Sequence, residues 1–178
     1  MSIAAALCAL AATAACICVG VRPTSVKYGL AGFTGAGRRF EFKGKFNGAD
    51  VYDDYAHHPD ELAATIEAVR SLGEHRLVLA FQPHTYTRTA ALFDDFVAEM
   101  RKADVAIVAE IYAAREKNDL GISSADLVKE IPGSVYCSTL DKVTDALRRI
   151  ACPGDLILTV GAGDIFRAGD ALLKLPRK

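Results

Sequence analysis

The sequence predicts an α/β fold over residues 47–178, with a mostly parallel sheet covered by helices on both faces. Three observations carry that expectation. The short apolar runs Arg76–Phe81, Val105–Ala109 and Leu156–Val160 lack polar alternation, as strands buried on both faces do. Amphipathic helical stretches alternate with these runs. The connections are short, which favours successive strand, helix, strand units and a parallel sheet.

The chain begins with an alanine-rich helical stretch inside the uncharged segment Ser2–Val21, followed by a loop containing Gly29, Gly32, Gly35 and Gly37 and ending in Arg38-Arg39. Phe40, Phe42 and Phe46 alternate with charged positions and predict a strand. A turn at Asn47-Gly48 leads into a second short strand, Ala49–Tyr52, so the two read as a hairpin. Pro59–Leu72 reads as a helix, with Pro at its first position, Asp60 and Glu61 in the first turn, and Leu62, Ile66 and Val69 on one face. After the strand Arg76–Phe81, a helix over Thr87–Lys102 turns Leu92, Phe93, Phe96, Val97 and Met100 inward. Val105–Ala109 is the next strand, followed by a polar loop to Gly121 and a helix capped at Ser123 or Ser124. Strand Val135–Cys137, helix Asp141–Ile150, strand Leu156–Val160 and helix Asp164–Leu173 complete the pattern.

Composition narrows the function classes. Among 178 residues, 21 Lys and Arg face 22 Asp and Glu for a net charge of −1, which argues against a nucleic-acid partner. The charge is uneven. Residues 1–46 hold six basic residues and one acid, while residues 47–178 hold fifteen and twenty-one, so a domain boundary is expected near residue 46. The five cysteines, Cys8, Cys16, Cys18, Cys137 and Cys152, show no C-x-x-C spacing and read as reduced, buried thiols of a cytoplasmic protein. Segment Ser2–Val21 is long enough to cross a bilayer, but it is rich in alanine and no Lys or Arg precedes it. The expectation is a buried helix of a soluble domain, with no membrane partner.

Ligands of parallel sheets bind at the carboxyl ends of the strands. Three strand-to-helix loops hold most of the unusual polar residues: Asp53–Pro59, Gln82–Arg88 and Gly161–Asp164. In the first, His58 reads as a helix cap. Asp54 can accept hydrogen bonds from ribose hydroxyls, and His57 can bond a carboxylate. A metal-dependent hydrolase built on Asp53, Asp54, His57 and His84 is a further reading, although no metal-ligand spacing supports it, and no metal site is expected. In the second loop, His84 and Arg88 flank a helix start, where free N–H groups and a guanidinium form an anion site. The Gly161-Ala162-Gly163 turn is a weak dinucleotide signal. Gly32 to Arg39 lacks the Lys and Ser/Thr of a phosphate loop.

Four motifs, in order, go further: Gly35-Ala36-Gly37-Arg38-Arg39-Phe40, Asp53-Asp54-Tyr55-Ala56-His57-His58-Pro59, Phe81-Gln82-Pro83-His84-Thr85-Tyr86-Thr87-Arg88-Thr89 and Gly161-Ala162-Gly163-Asp164-Ile165. Together with Ala114–Asn118 they closely resemble the Mur ligase family, in its L-alanine-adding branch. The resemblance implies a Rossmann-like C-terminal domain at 47–178 that binds the amino acid, preceded at 1–46 by a remnant of the central ATP-binding domain. It also implies ATP-dependent amide formation between UDP-N-acetylmuramate and L-alanine through an acyl phosphate, in peptidoglycan synthesis. The cofactors would be ATP and Mg2+, the metal held mainly by the central domain. Carried over by motif, Arg39 would approach the ATP phosphates and Asp54 the ribose. Tyr55, His57, His84 and Arg88 would line the amino-acid site, with His57, His84 and Arg88 as the catalytic set.

This sequence departs from the family pattern in several ways. It contains no sugar-nucleotide-binding domain, no phosphate loop and no Asn before Asn47, and Thr85 stands where some relatives carry a basic residue. The isolated chain is therefore expected to be inactive. A stand-alone nucleotide-binding or regulatory module that has lost catalysis is the alternative.

Overall fold

The computed structural model describes residues 3–33 and 35–176. Ser2, the first residue of the uncharged segment, lies outside them. By contacts the chain divides into two compact units, residues 1–36 and 37–178. The boundary falls earlier than the change in charge near residue 46. The charge count assigned Lys43 and Lys45 to the basic segment, whereas the strand carrying them, β1 (Glu41–Phe46), is hydrogen-bonded into the sheet of the second unit.

The first unit contains two helices, α1 (Ile3–Cys18) and α2 (Pro23–Ala31), with Pro23 starting the second. A buried helix was expected here, but none of the described side chains of α1 is buried, and α2 buries none. Two short helices offer each other too little surface to exclude water from an apolar face. No helix among the described residues is long and apolar enough to cross a membrane. The expectation of buried thiols fails for four of the five cysteines. Cys8 and Cys18 are exposed on the alanine-rich helix, Cys16 is half-buried and Cys152 is exposed in a loop. Cys137 alone of the five is buried, which pushes its thiol pKa up.

The second unit holds one six-stranded sheet in the order β1-β2-β6-β3-β4-β5, completed by β2 (Ala49–Asp54), β3 (Leu77–Phe81), β4 (Val105–Ala109), β5 (Val135–Cys137) and β6 (Leu156–Val160). β1 and β2 form the antiparallel hairpin, and every other pairing is parallel. Its turn residues Asn47 and Gly48 have φ of 48° and 84°, the left-handed conformation that two-residue hairpin turns require. β3 and β6 are buried at every position, consistent with their unbroken apolar runs.

One face of the sheet packs Leu79, Phe81, Val108 and Leu158 under α3 (Pro59–Ser71), α5 (Phe93–Met100) and α6 (Ser124–Glu130). The other packs Val78, Ala80, Ile107 and Ile157 under α7 (Leu140–Ile150) and α8 (Phe166–Lys174). α3 forms as its sequence dictates. His58 caps it by accepting from the Asp60 N–H, and Leu62, Ile66 and Val69 are buried along one stripe. Each such fully buried aliphatic side chain contributes about 1.5–3 kcal/mol. α6 begins with a full capping box between Ser123 and Asp126.

The single helix expected over Thr87–Lys102 is two helices, α4 (Tyr86–Ala91) and α5, separated at Leu92. Leu92 has φ −118° and ψ 27°, outside the helical region, and one such residue changes the helix direction. Apolar periodicity does not register this break, because Leu92 and Phe93 still pack against the core after it.

Candidate functional site

β2, β6 and β3 are adjacent and parallel, so their carboxyl ends leave the sheet side by side. The Gly161 N–H donates to the Asp54 carbonyl at 3.0 Å, and the Gln82 N–H to the Val160 carbonyl at 3.0 Å. All three loops singled out in the sequence therefore meet on one rim.

The third loop is held from both sides. The Gln82 side-chain oxygen accepts from the Asp164 and Ile165 N–H groups at 2.9 and 3.1 Å, and its amide donates to Asp164 Oδ1 at 3.0 Å. Position 163 must be glycine, because a Cβ there would collide with Gln82 Oε1 and the Tyr112 ring. On the opposite side, Arg38 donates to the Gly161 and Gly163 carbonyls at 2.6 and 3.1 Å and to Asp53 Oδ2 at 2.9 Å. Its guanidinium lies over the rings of Tyr55 and Phe166, 5.0 and 4.5 Å from their centroids.

Asp54 is 6% exposed. Its Oδ2 accepts from the Phe40 N–H at 2.7 Å, and its Oδ1 accepts from the Ala56 N–H at 2.8 Å and the Thr65 hydroxyl at 3.3 Å. A carboxylate has about four acceptor sites, so room remains on Oδ2 for one further donor. Asp54→Ala would strand the buried Ala56 N–H and remove the acceptor of the half-buried Phe40 N–H, while the Thr65 hydroxyl keeps the Glu61 carbonyl at 2.9 Å, and should destabilise the chain by about 3 kcal/mol. Urea unfolding of the purified variant measures this, and a loss below about 1 kcal/mol would refute the structural role.

His57 and His84 face one another with ring centroids 6.0 Å apart, and Tyr55 meets His57 edge-on at 5.6 Å. His57 Nδ1 lies 3.1 Å from the Tyr55 carbonyl and 3.3 Å from Glu61 Oε2. Because both partners are acceptors, the Nδ1 tautomer is the one these contacts favour whenever the ring is neutral, and it leaves Nε2 to accept. Burial raises the Glu61 pKa, but the N–H groups of His57 and His58 and the nearby imidazole hold it below the usual carboxylate range. His84 stacks on Tyr112 with centroids 5.6 Å apart, and its Nδ1 is 3.4 Å from Arg88 Nη1. Burial, then the Arg88 and His57 charges, push the His84 pKa below its ordinary 6.5, so the ring is neutral at neutral pH. Arg39 is exposed, with its guanidinium 5.3 Å from the centroid of Tyr55.

Tyr55, His57, His84 and Arg88 are thus gathered at the ends of β2 and β3, with Asp54 as the last residue of β2 and the Arg39 guanidinium over Tyr55. Sequence reasoning missed Tyr112, whose ring supports His84 and abuts Gly163. It also favoured Arg39 over Arg38, although Arg38 makes the denser set of contacts. Neither residue carries a local signal beyond its place in a motif. No group of three or more His, Cys, Asp or Glu among the described residues is arranged to hold a metal ion.

The model of the Mur ligase, glutamate ligase domain, matches residues 38–163. The chain belongs to the Mur ligase family. This Mur ligase chain is 46% identical over 169 residues to the UDP-N-acetylmuramate--L-alanine ligase of Lachnospira eligens, covering 93% of this chain and 37% of that protein. It is 45% identical to the enzyme of the same name from Agathobacter rectalis, again over 93% of this chain and 37% of the relative. The chain therefore spans little more than a third of the curated relatives it matches. Among solved structures, the UDP-N-acetylmuramate-alanine ligase of Thermotoga maritima superposes with a TM-score of 0.72 at 24% identity, over 98% of this chain and 38% of that one. The murein peptide ligase of Psychrobacter arcticus gives 0.67 at 26% identity, over 93% and 35%. The α/β sheet of this Mur ligase chain is the fold those neighbours share.

Proposed function

We propose that this chain is the amino-acid-binding C-terminal part of an ATP-dependent ligase that joins L-alanine to UDP-N-acetylmuramate in peptidoglycan synthesis, and that the preceding helices belong to the ATP-binding domain. The observation that carries this reading is the meeting of His57, His84 and Arg88 on one rim, where a cation and two imidazoles can receive an amino acid. Arg88 pairs with the alanine carboxylate, and the neutral His84 beside it accepts or donates a hydrogen bond without adding charge. In this reading Nε2 of His57 would accept a proton from the incoming amine, while Tyr55 packs against the His57 ring and Tyr112 against the His84 ring. Much of the rate gain from such a site is positional.

ATP supplies the phosphoryl group that activates the sugar carboxylate. The exposed guanidinium of Arg39 suits a phosphate, and the remaining acceptor site on Asp54 suits one ribose hydroxyl. The described residues offer no cluster for Mg2+, which the rest of the enzyme would hold. Dependence on ATP fits work in the cytoplasm.

The test is ADP release from ATP, UDP-N-acetylmuramate and L-alanine. The full-length protein containing this chain should need all three substrates, and the 178-residue chain alone should release none. ADP formation by the chain alone, or equal rates with unrelated amino acids in the full-length protein, would overturn the proposal.

A further inference from the structure

The segment Ala114–Asn118 resembles the family yet has no part in the site as described so far. Its role follows from how α4 begins. Thr85, the residue before α4, has φ 68° and ψ 144°, a strained conformation for a β-branched side chain, and its side chain does not cap the helix. The first-turn N–H groups of α4 therefore need another acceptor. That acceptor is Glu116, which lies in the loop after β4. Thr87 donates its N–H to Glu116 Oε2 at 3.0 Å and its hydroxyl to Oε1 at 2.5 Å, so both carboxylate oxygens engage the first turn of the helix.

The two loops are also joined by backbone. The Thr85 N–H donates to the Tyr112 carbonyl at 2.9 Å, and the Tyr112 N–H to the Pro83 carbonyl at 2.8 Å. The Glu116 N–H donates to the Ala113 carbonyl at 2.9 Å, which fixes the carboxylate beneath the turn. Arg88 follows Thr87 directly, and its guanidinium reaches back to His84. We infer that Glu116 is a positioning residue for the amino-acid site, acting through Thr87 to hold the strained turn that carries His84 and Arg88. The inference rests on the proposed ligase reading. The hydrogen bonds from Thr87 also keep the Glu116 pKa below the usual carboxylate range, so the acceptor stays charged.

Two measurements on Glu116→Gln test it, with Glu116→Ala as a second variant. In the chain itself, amide hydrogen exchange across residues 84–92 should quicken, with the remaining segments unchanged. In the full-length enzyme, KM for L-alanine should rise roughly tenfold while kcat and KM for ATP stay within about twofold, the scale typical of outer-shell supports. A residue with only a general folding role would instead lower kcat and loosen the whole chain. Unchanged exchange would overturn the inference, as would faster exchange with unchanged alanine KM. A wild-type enzyme that releases no ADP on addition of alanine would overturn the ligase reading and the inference with it. A normal wild type with unaltered variants would end the inference alone.

Discussion

Arg88→Ala in the full-length enzyme is expected to lower kcat/KM for L-alanine by about a hundredfold or more, equivalent to ~3 kcal/mol, while KM for ATP changes little. Arg88 is the cation at the end of β3 that approaches His84, and its planar fork can hold a carboxylate with two parallel bonds. Removing it leaves the alanine carboxylate facing two imidazoles, one of which, His84, is still discouraged from carrying charge by its burial. The variant carries its own control. Without the neighbouring guanidinium, the His84 pKa should move back toward 6.5, and a histidine NMR titration of the 178-residue chain reads this without any substrate. Linkage fixes the sign for stability. A histidine depressed in the folded state contributes stability that is present above its unfolded value near 6.5 and lost as pH falls from there through the lower folded value, so the wild type should show more of this acid-induced loss than the variant. Equal damage to alanine and ATP use would contradict the role given to Arg88.

The sheet was legible because its central strands are unbroken apolar runs, and burial of β3 and β6 on both faces leaves few other folds open to such runs. The hairpin was legible from Asn47-Gly48 and the cap from His58-Pro59, since both depend on local chemistry. The kink at Leu92 was not, because it shifts direction without altering which side chains face the core. Burial of the alanine-rich helix was misjudged for a related reason. Hydropathy reports what a helix can bury and says nothing of what is there to cover it. At the site, the loops and their histidines could be read from strand ends, but the partners of those residues come from far along the chain. Tyr112 meets His84, Glu116 meets Thr87 and Arg38 meets Gly161, and each contact depends on the strand order placing β6 between β2 and β3 or β4 beside β3.

Arg38→Met should destabilise the chain by about 3–5 kcal/mol at neutral pH, the usual loss when one partner of a buried ion pair is removed. Asp53 is buried, with its side chain 2% exposed, and its other oxygen accepts from the Thr159 hydroxyl at 2.6 Å. Burial raises the Asp53 pKa above its ordinary 3.8, although the Thr159 hydroxyl, the Arg38 guanidinium and Lys43 all work against it. A group whose folded pKa exceeds its unfolded value contributes stability that is present below 3.8 and lost as pH rises through the folded value. With Arg38 gone, the folded pKa climbs further and the penalty for ionised Asp53 grows. Urea unfolding at about pH 7 and about pH 4.5 should therefore show a larger deficit at the higher pH, with partial recovery as Asp53 takes up its proton. The part that does not recover reports the bonds to the Gly161 and Gly163 carbonyls, which do not titrate. A deficit equal at both pH values would mean that Arg38 serves the glycine turn alone and that its pairing with Asp53 adds nothing.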